Sequence, residues 1–520
     1  MTESLHPLWY ALIPLPPLAA ALGIGLGIAL QPRRGEAAER STGRIALTAT
    51  ALSLVAVLAA DLTALIQGAP GQIRLGTWLA TGSLQVPLSL TLDPLGLLLA
   101  TLVAVICLAT QRFSAPYLHR EPGFRRFFMT LSLFTGAMLL IVTAGNAVLT
   151  FVGWELAGIS SYLLIGFVQE RPQATENATR AFVTNRIGDA GFLLAIFLCV
   201  AWLGGVEWPD LAARAAELES LQAGLVLMGF LLAAFAKSAV LPFSAWIGRA
   251  LEGPTPSSAV FYGSLMVHAG VYLLIRCEPL LLVATALMPL VALTGLATAL
   301  YGWLAGLAQA DIKSGLMFST TAQVGLMVLW CGLGWFDLAT AHLVLHALWR
   351  AYQFLHAPAL MHWMETPTQP FVGWLAQRLP LYTAALHRFW LDPIADWLLV
   401  RPTRQLAADV RAFDERILKP LVGLPQDEGP LTNLPLTRGP EGGATAKQGL
   451  TEGVGLLGGL MAWLADRLYW FEVRLVLEGG GGRLRGLLDG LAKAVIRAEE
   501  LLEHPRYLLL LIMATLVVIL

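Results

Sequence analysis

The stretch FVGWELAGISSYLLIGF, Phe151–Phe167, decides how the rest of the chain is read. It is apolar almost throughout and belongs in lipid, yet it carries one carboxylate, Glu155. An ionisable group at such depth costs several kcal/mol and is tolerated where it faces a bundle interior or water. Whether the chain spans a membrane and what it does there therefore meet at one residue.

Composition supports the membrane. Of 520 residues, 56% are hydrophobic and 13% are charged, against about 25% charged in soluble domains. Apolar runs recur near 8–30, 45–66, 94–112, 127–143, 146–168, 181–203, 221–247, 256–276, 280–302, 313–334 and 337–356, with weaker candidates at 450–466 and 506–520. Lipid leaves no partner for open backbone groups, so spans are helices or a closed barrel. The short alternating segments of a barrel are missing, and the expected fold is an all-α polytopic membrane protein of about 12–13 transmembrane helices. No cleavable signal peptide is expected, because the first apolar run lacks a basic start and is long enough to span. A net charge of −1 gives no footprint for nucleic acid. Cys107, Cys199, Cys277 and Cys331 are scattered, and the nine histidines lack metal-site spacing, so neither a disulfide framework nor a metal cage is expected.

Arginines alternate between loops. Arg33, Arg34, Arg40 and Arg44 follow the first span, and Arg112, Arg120, Arg125 and Arg126 the third. The loops after the second and sixth hold one each, Arg74 and Arg214. By the positive-inside rule the N-terminus is expected outside. Residues 72–93 alternate and are expected as a β-hairpin on that outer face. From about residue 364 the chain becomes basic and rich in proline and glycine; within it, 391–423 is expected as an amphipathic surface helix followed by a polar linker.

Glu155 is one of a series. Lys237 lies in the seventh run, five residues before Pro242, which is expected to break the helix where backbone lines a cavity. His268 lies in the eighth run and Lys313 opens the tenth. His342, His346 and Arg350 recur at i, i+4 and i+8 and share one helix face. Lys313 and Arg350 near helix ends also fit snorkelling, and a lone His268 fits a satisfied core group. Together the groups fit a proton relay, in which a buried lysine releases its proton when a carboxylate or its proton moves.

At these residues the chain resembles the antiporter-like L subunit of respiratory complex I and its Mrp-antiporter relatives. The likeness rests on GWELAGISSYLLIGF, RAFVTNRIGDAGF, AKSAVLPFSAW, LEGPTPSSA, QADIKSGLMFSTTAQVGLM and, more weakly, FWLDPIADWLLVRP. The resemblance implies an antiporter-like bundle with inverted repeats and a proton path through Glu155, Lys237 and Lys313. Arg186, Asp189 and Glu252, inside the same motifs, are expected as structural polar groups.

Departures from the family sharpen the expectation. Tyr262 stands where the family usually has histidine, and Arg350 where it has lysine. Arginine does not readily release a proton, so Arg350 is expected as a fixed charge. The stretch from His346 to Trp363 looks more like the membrane subunit of DAB inorganic-carbon pumps. Expected divisions are 1–125, N-terminal helices with the hairpin; 126–276, a first repeat; 277–363, a shortened second repeat; 364–447, a cytoplasmic or amphipathic segment and linker; and 448–520, C-terminal helices. The main expectation is an ion-conducting subunit in a bacterial inner membrane. Cation flow through it would drive a soluble carbonic-anhydrase-like partner that holds zinc, with no cofactor bound by this chain. The alternatives are a subunit L-like component working with other complex I, hydrogenase or Mrp membrane subunits, and a scaffold that no longer conducts.

Overall fold

The computed structural model describes residues 7–30, 35–81, 84–309, 311–363 and 378–413. The weaker spans expected at 450–466 and 506–520 lie outside the described residues, as does the C-terminal extension beyond Phe413.

In chain order the helices are α1 (Leu15–Leu30), α2 (Glu36–Gln67), α3 (Pro94–Tyr117), α4 (Phe124–Thr143), α5 (Ala147–Ile165), α6 (Pro172–Leu203), α7 (Trp208–Arg214) and α8 (Ser220–Lys237). There follow α9 (Thr255–Arg276), α10 (Glu278–Val283), α11 (Thr285–Leu307), α12 (Ile312–Gly332), α13 (Phe336–Trp363), α14 (Leu379–Leu386) and α15 (Arg401–Phe413). Among the described residues, nine helices are long and apolar enough to cross a membrane: α2 to α6, α8, α9, α11 and α12. At the other two expected spans stand α1, with 16 residues, and α13, with 28 residues and the polar stripe.

Helix starts follow from side-chain caps. The Asp93 carboxylate accepts from Gly96 N at 2.8 Å to open α3, the Asn146 side chain from Leu149 N at 2.9 Å to open α5, and Asp311 from Ser314 N at 2.8 Å to open α12. Each satisfies a backbone donor that a helix N-terminus leaves open. The expected hairpin is present: β1 (Gly71–Thr81) pairs antiparallel with β2 (Leu84–Leu92). It is tied to the α4–α5 loop, where Gly145 N donates to Ser89 O at 2.8 Å and Asn146 Nδ2 to Pro87 O at 2.9 Å. Ser89 Oγ donates to Glu207 at 3.0 Å, completing a buried polar knot of strand β2 and two loops. Burial pushes the Glu207 carboxyl above its ordinary value, and the Ser89 hydroxyl offsets part of that.

Two spans differ from expectation. The seventh does not run to residue 247: α8 ends at Lys237, and Ala239 takes a left-handed φ of 51°. Pro242 thus follows the helix end and does not break a continuing helix. The open carbonyls beyond are met by side chains, with Trp246 Nε1 donating to Ala236 O at 2.9 Å and Ser244 Oγ to Ala239 O at 2.7 Å. The ninth span starts later, because Glu278–Val283 forms its own short helix before α11.

The described residues fall into two compact units divided after Asp396. Residues 378–396, expected within the cytoplasmic or amphipathic segment, with 391–396 in the surface helix, pack within the first unit. Arg249 Nε donates to Asp392 Oδ2 at 2.8 Å, and Arg180 pairs with Asp396 at 2.9 Å. The surface helix expected over 391–423 is broken in its described part: Leu391–Ala395 is a short helix, Asp396–Val400 a π-helical turn, and α15 follows in the second unit.

Candidate functional site

Three helices build the first cluster. Close approach of α6 and α8 depends on two glycines: a Cβ on Gly229 would lie 2.6 Å from Gly191 O, and one on Gly191 would lie 2.8 Å from Gly229 O. Such small-residue contacts let helix backbones approach where lipid supplies no hydrophobic drive. Edge-on stacking of Trp154 on Phe192 (5.5 Å) and Phe192 on Phe230 (5.3 Å) locks α5 to the pair.

Four ionisable groups meet there. The Arg186 guanidinium pairs with Glu155 and, at 2.8 Å, with Asp189. Asp189 also accepts from Trp154 Nε1 at 2.8 Å. Lys237 Nζ donates to Trp154 O at 3.2 Å and stands 5.0 Å from the Trp154 ring centroid. Glu155 is 2% exposed and Lys237 is 1% exposed. Two carboxylates face two cations, so the fully ionised cluster is formally neutral, which lets four charges persist where a lone one would not. Gly158, one turn past Glu155, leaves the space between the cations: a Cβ there would lie 3.3 Å from both Arg186 Nη2 and Lys237 Nζ.

A second cluster joins α9, α12 and α13. His268 Nε2 and His346 Nδ1 are 3.0 Å apart, and Arg350 Nε donates to His346 Nε2 at 3.4 Å. Arg350 Nη2 donates to Ser319 Oγ at 2.8 Å. One turn away, Trp330 Nε1 donates to His342 Nδ1 at 3.2 Å, so His342 Nε2–H donates to Gln323 Oε1 at 2.9 Å. His268 reaches this line because α9 is irregular: a π-helical turn spans Ala259–Ser264 and a tighter turn Met266–His268. Interruptions of this kind recur at functional sites.

Other expected groups stand apart. Lys313 occupies the first turn of α12, half-buried, and forms no ion pair among the described residues. Glu252 accepts from Asn177 Nδ2 at 3.3 Å. Tyr262 is buried edge-on to Trp246, with centroids 6.2 Å apart. Sequence reasoning missed Trp154, Gly158, Ser319 and Gln323; the first two sit beside Glu155 in the opening motif. Among the described residues, no group of three or more His, Cys, Asp or Glu is placed to hold a metal.

Comparison with known proteins places this geometry. Residues 144–391 match the family model described as "NADH:quinone oxidoreductase/Mrp antiporter, TM", and residues 78–128 match "NADH-Ubiquinone oxidoreductase (complex I), chain 5 N-terminus". NADH-quinone oxidoreductase subunit L of Mycobacterium tuberculosis is 41% identical over 310 residues, 59% of this chain and 49% of that protein. Chloroplastic NAD(P)H-quinone oxidoreductase subunit 5 of Nephroselmis olivacea is 36% identical over 388 residues, 72% of this chain and 58% of that protein. The chain thus spans about half the length of these curated relatives. The Mrp complex of Dietzia sp. DQ12-45-1b contains a chain of the same fold, with TM-score 0.59 and 26% identity over 69% of this chain and 38% of that one. An archaeal membrane-bound sulfane sulfur reductase contains another, with TM-score 0.59 and 19% identity over 95% of this chain and 98% of that one. Over residues 78–128 and 144–391, which carry both clusters, the multi-pass membrane core of this chain is similar to the antiporter-like subunits of complex I and the Mrp antiporters.

Proposed function

We propose that the chain is a proton-translocating membrane subunit of a multi-subunit respiratory-type complex, of the kind that includes subunit L of NADH-quinone oxidoreductase. The observation that carries the reading is the neutral, buried Glu155–Arg186–Asp189–Lys237 cluster. Neutrality makes it responsive to single protons. A proton taken up by Glu155 leaves Arg186 balanced by Asp189 and the cluster with one excess positive charge, and releasing the Lys237 proton restores balance. Charge repulsion at short range in a low dielectric is strong enough to couple the two events.

Titratable nitrogen and carboxyl groups favour protons over Na⁺, which prefers clustered oxygen ligands. Energy-yielding chemistry is assigned to partner subunits, and the arginine-rich loops favour an N-terminus outside a bacterial inner membrane. The relatives favour this reading over an inorganic-carbon pump with a zinc-holding partner, for which Arg350 in place of lysine is the specific observation. Affinity purification of the full-length chain and mass spectrometry of its partners separates them: quinone-reductase subunits support the first, a zinc protein the second. Lys237→Gln is expected to abolish proton-coupled activity of that complex in vesicles while leaving its assembly unchanged. Activity at the wild-type level would remove Lys237 from the path and leave a scaffold as the better description.

A further inference from the structure

Arginine donates hydrogen bonds and accepts none. That asymmetry, applied to the α9–α13 cluster, fixes protons that coordinates alone do not show. Arg350 Nε donates to His346 Nε2, so His346 Nε2 carries no proton and its ring proton sits on Nδ1. His346 Nδ1 must then donate across the 3.0 Å contact to His268 Nε2, and His268 in turn carries its proton on Nδ1. Among the described residues His268 Nδ1 has no protein partner, although the residue is 3% exposed. His268 also borders a cavity of about 20 Å³ between α3, α4, α9 and α13, lined in part by Leu99, Met138 and Leu343. The space is the size of one water, and Ser264 and Tyr272 are the other polar residues on its lining.

We propose that Arg350 is a positioning residue that locks both histidines in the Nδ1–H tautomer and so gives the pair a direction. A proton accepted at His346 Nε2 makes that ring an imidazolium. Its Nδ1 proton passes to His268 Nε2, and the Nδ1 proton of His268 leaves toward the cavity. Both rings end as Nε2–H tautomers, and a second proton cannot follow until they reset. While Arg350 donates to His346 Nε2, the accepting site is closed; Ser319 Oγ, already bonded to Arg350 Nη2, holds the guanidinium when it releases the ring. Among the described residues no carboxylate pairs with Arg350, and the ionisable groups facing the pair are His342 and Arg350 on α13 and, on the lining of the small cavity beside His268, Tyr272 on α9.

The proposal deepens the transport reading and rests on it for purpose, while its geometry is tested without transport. The full chain, labelled with ring-¹⁵N histidine and held in bilayers, is read by solid-state NMR. His346 and His268 are each expected as a neutral Nδ1–H ring, identified as the signal lost in His346→Gln and the signal lost in His268→Gln. Arg350→Leu is expected to move His346 to the Nε2–H form, and Arg350→Lys, which keeps a donor, to preserve Nδ1–H. A wild-type His346 found as Nε2–H or doubly protonated overturns the lock, even should Arg350→Leu fail to fold. So does an unchanged His346 spectrum in a folded Arg350→Leu chain. Because the spectrum reports no flux, a conducting chain without the lock and a locked chain that does not conduct are distinguishable.

Discussion

Gly158 is where the smallest side chain does the most. Its missing Cβ leaves 3.3 Å to each of the two cation nitrogens, so the gap between Arg186 and Lys237 exists only because nothing fills it. Gly158→Ala is expected to assemble normally, since both nitrogens end flexible side chains, and to lower proton flux about tenfold or more, as small misplacements of reacting groups do. Wild-type flux in vesicles would make the gap a packing detail. Glu207 offers a test with a sign. Its carboxyl is held above its ordinary value by burial, so the folded chain binds that proton more tightly than the unfolded one. The group's contribution to stability is full below about pH 4.3 and lost as pH rises through the raised value. Glu207→Gln is therefore expected to raise the thermal midpoint in detergent at neutral pH and to give no advantage at pH 4. A lower midpoint at neutral pH would mean that the Ser89 hydrogen bond outweighs desolvation. At this scale the sequence exposed the ionisable residues, because charge inside an apolar run is visible in one dimension. Their grouping was not visible: Lys237 is held to α5 through Trp154 O, a backbone atom no motif displays.

Helices were legible wherever apolar length decides. Each of the eleven stronger runs contains a helix, nine of them long and apolar enough to span, and the alternation at 72–93 is a hairpin. Boundaries failed where satisfaction of backbone groups outranks hydropathy. Apolar residues continue past Lys237, but α8 stops there because Trp246 and Ser244 take over the open carbonyls. The irregular turns of α9 were equally silent, since π-helical and α-helical residues have the same hydropathy; yet they bring His268 to His346. The α6–α8 contact is the element-scale test. Gly229→Val would push a side chain against Gly191 O, 2.6 Å from the new Cβ, and overpacking of this kind costs about 1–3 kcal/mol. A lower thermal midpoint together with lost activity is expected; a neutral outcome would mean that the two helices slide apart without moving Lys237 from Trp154.

For the whole molecule, composition identified a membrane bundle and the order of motifs pointed to the proteins it resembles, because both survive without knowledge of contacts. Which complex the chain serves is not written in its own residues. The DAB-like expectation drew on a short stretch around Arg350, whereas the relatives found across most of the chain are quinone oxidoreductase subunits. The central claim is that Glu155 and Lys237 belong to one proton path. Its most direct measurement is a double-mutant cycle on proton flux in inverted vesicles, comparing Glu155→Gln, Lys237→Gln and the pair. Groups acting as a unit are strongly non-additive. Each single change is expected to cut flux at least about tenfold, and the pair to cut it no further than the worse of the two; losses that multiply, or a single variant with wild-type flux, would contradict the account.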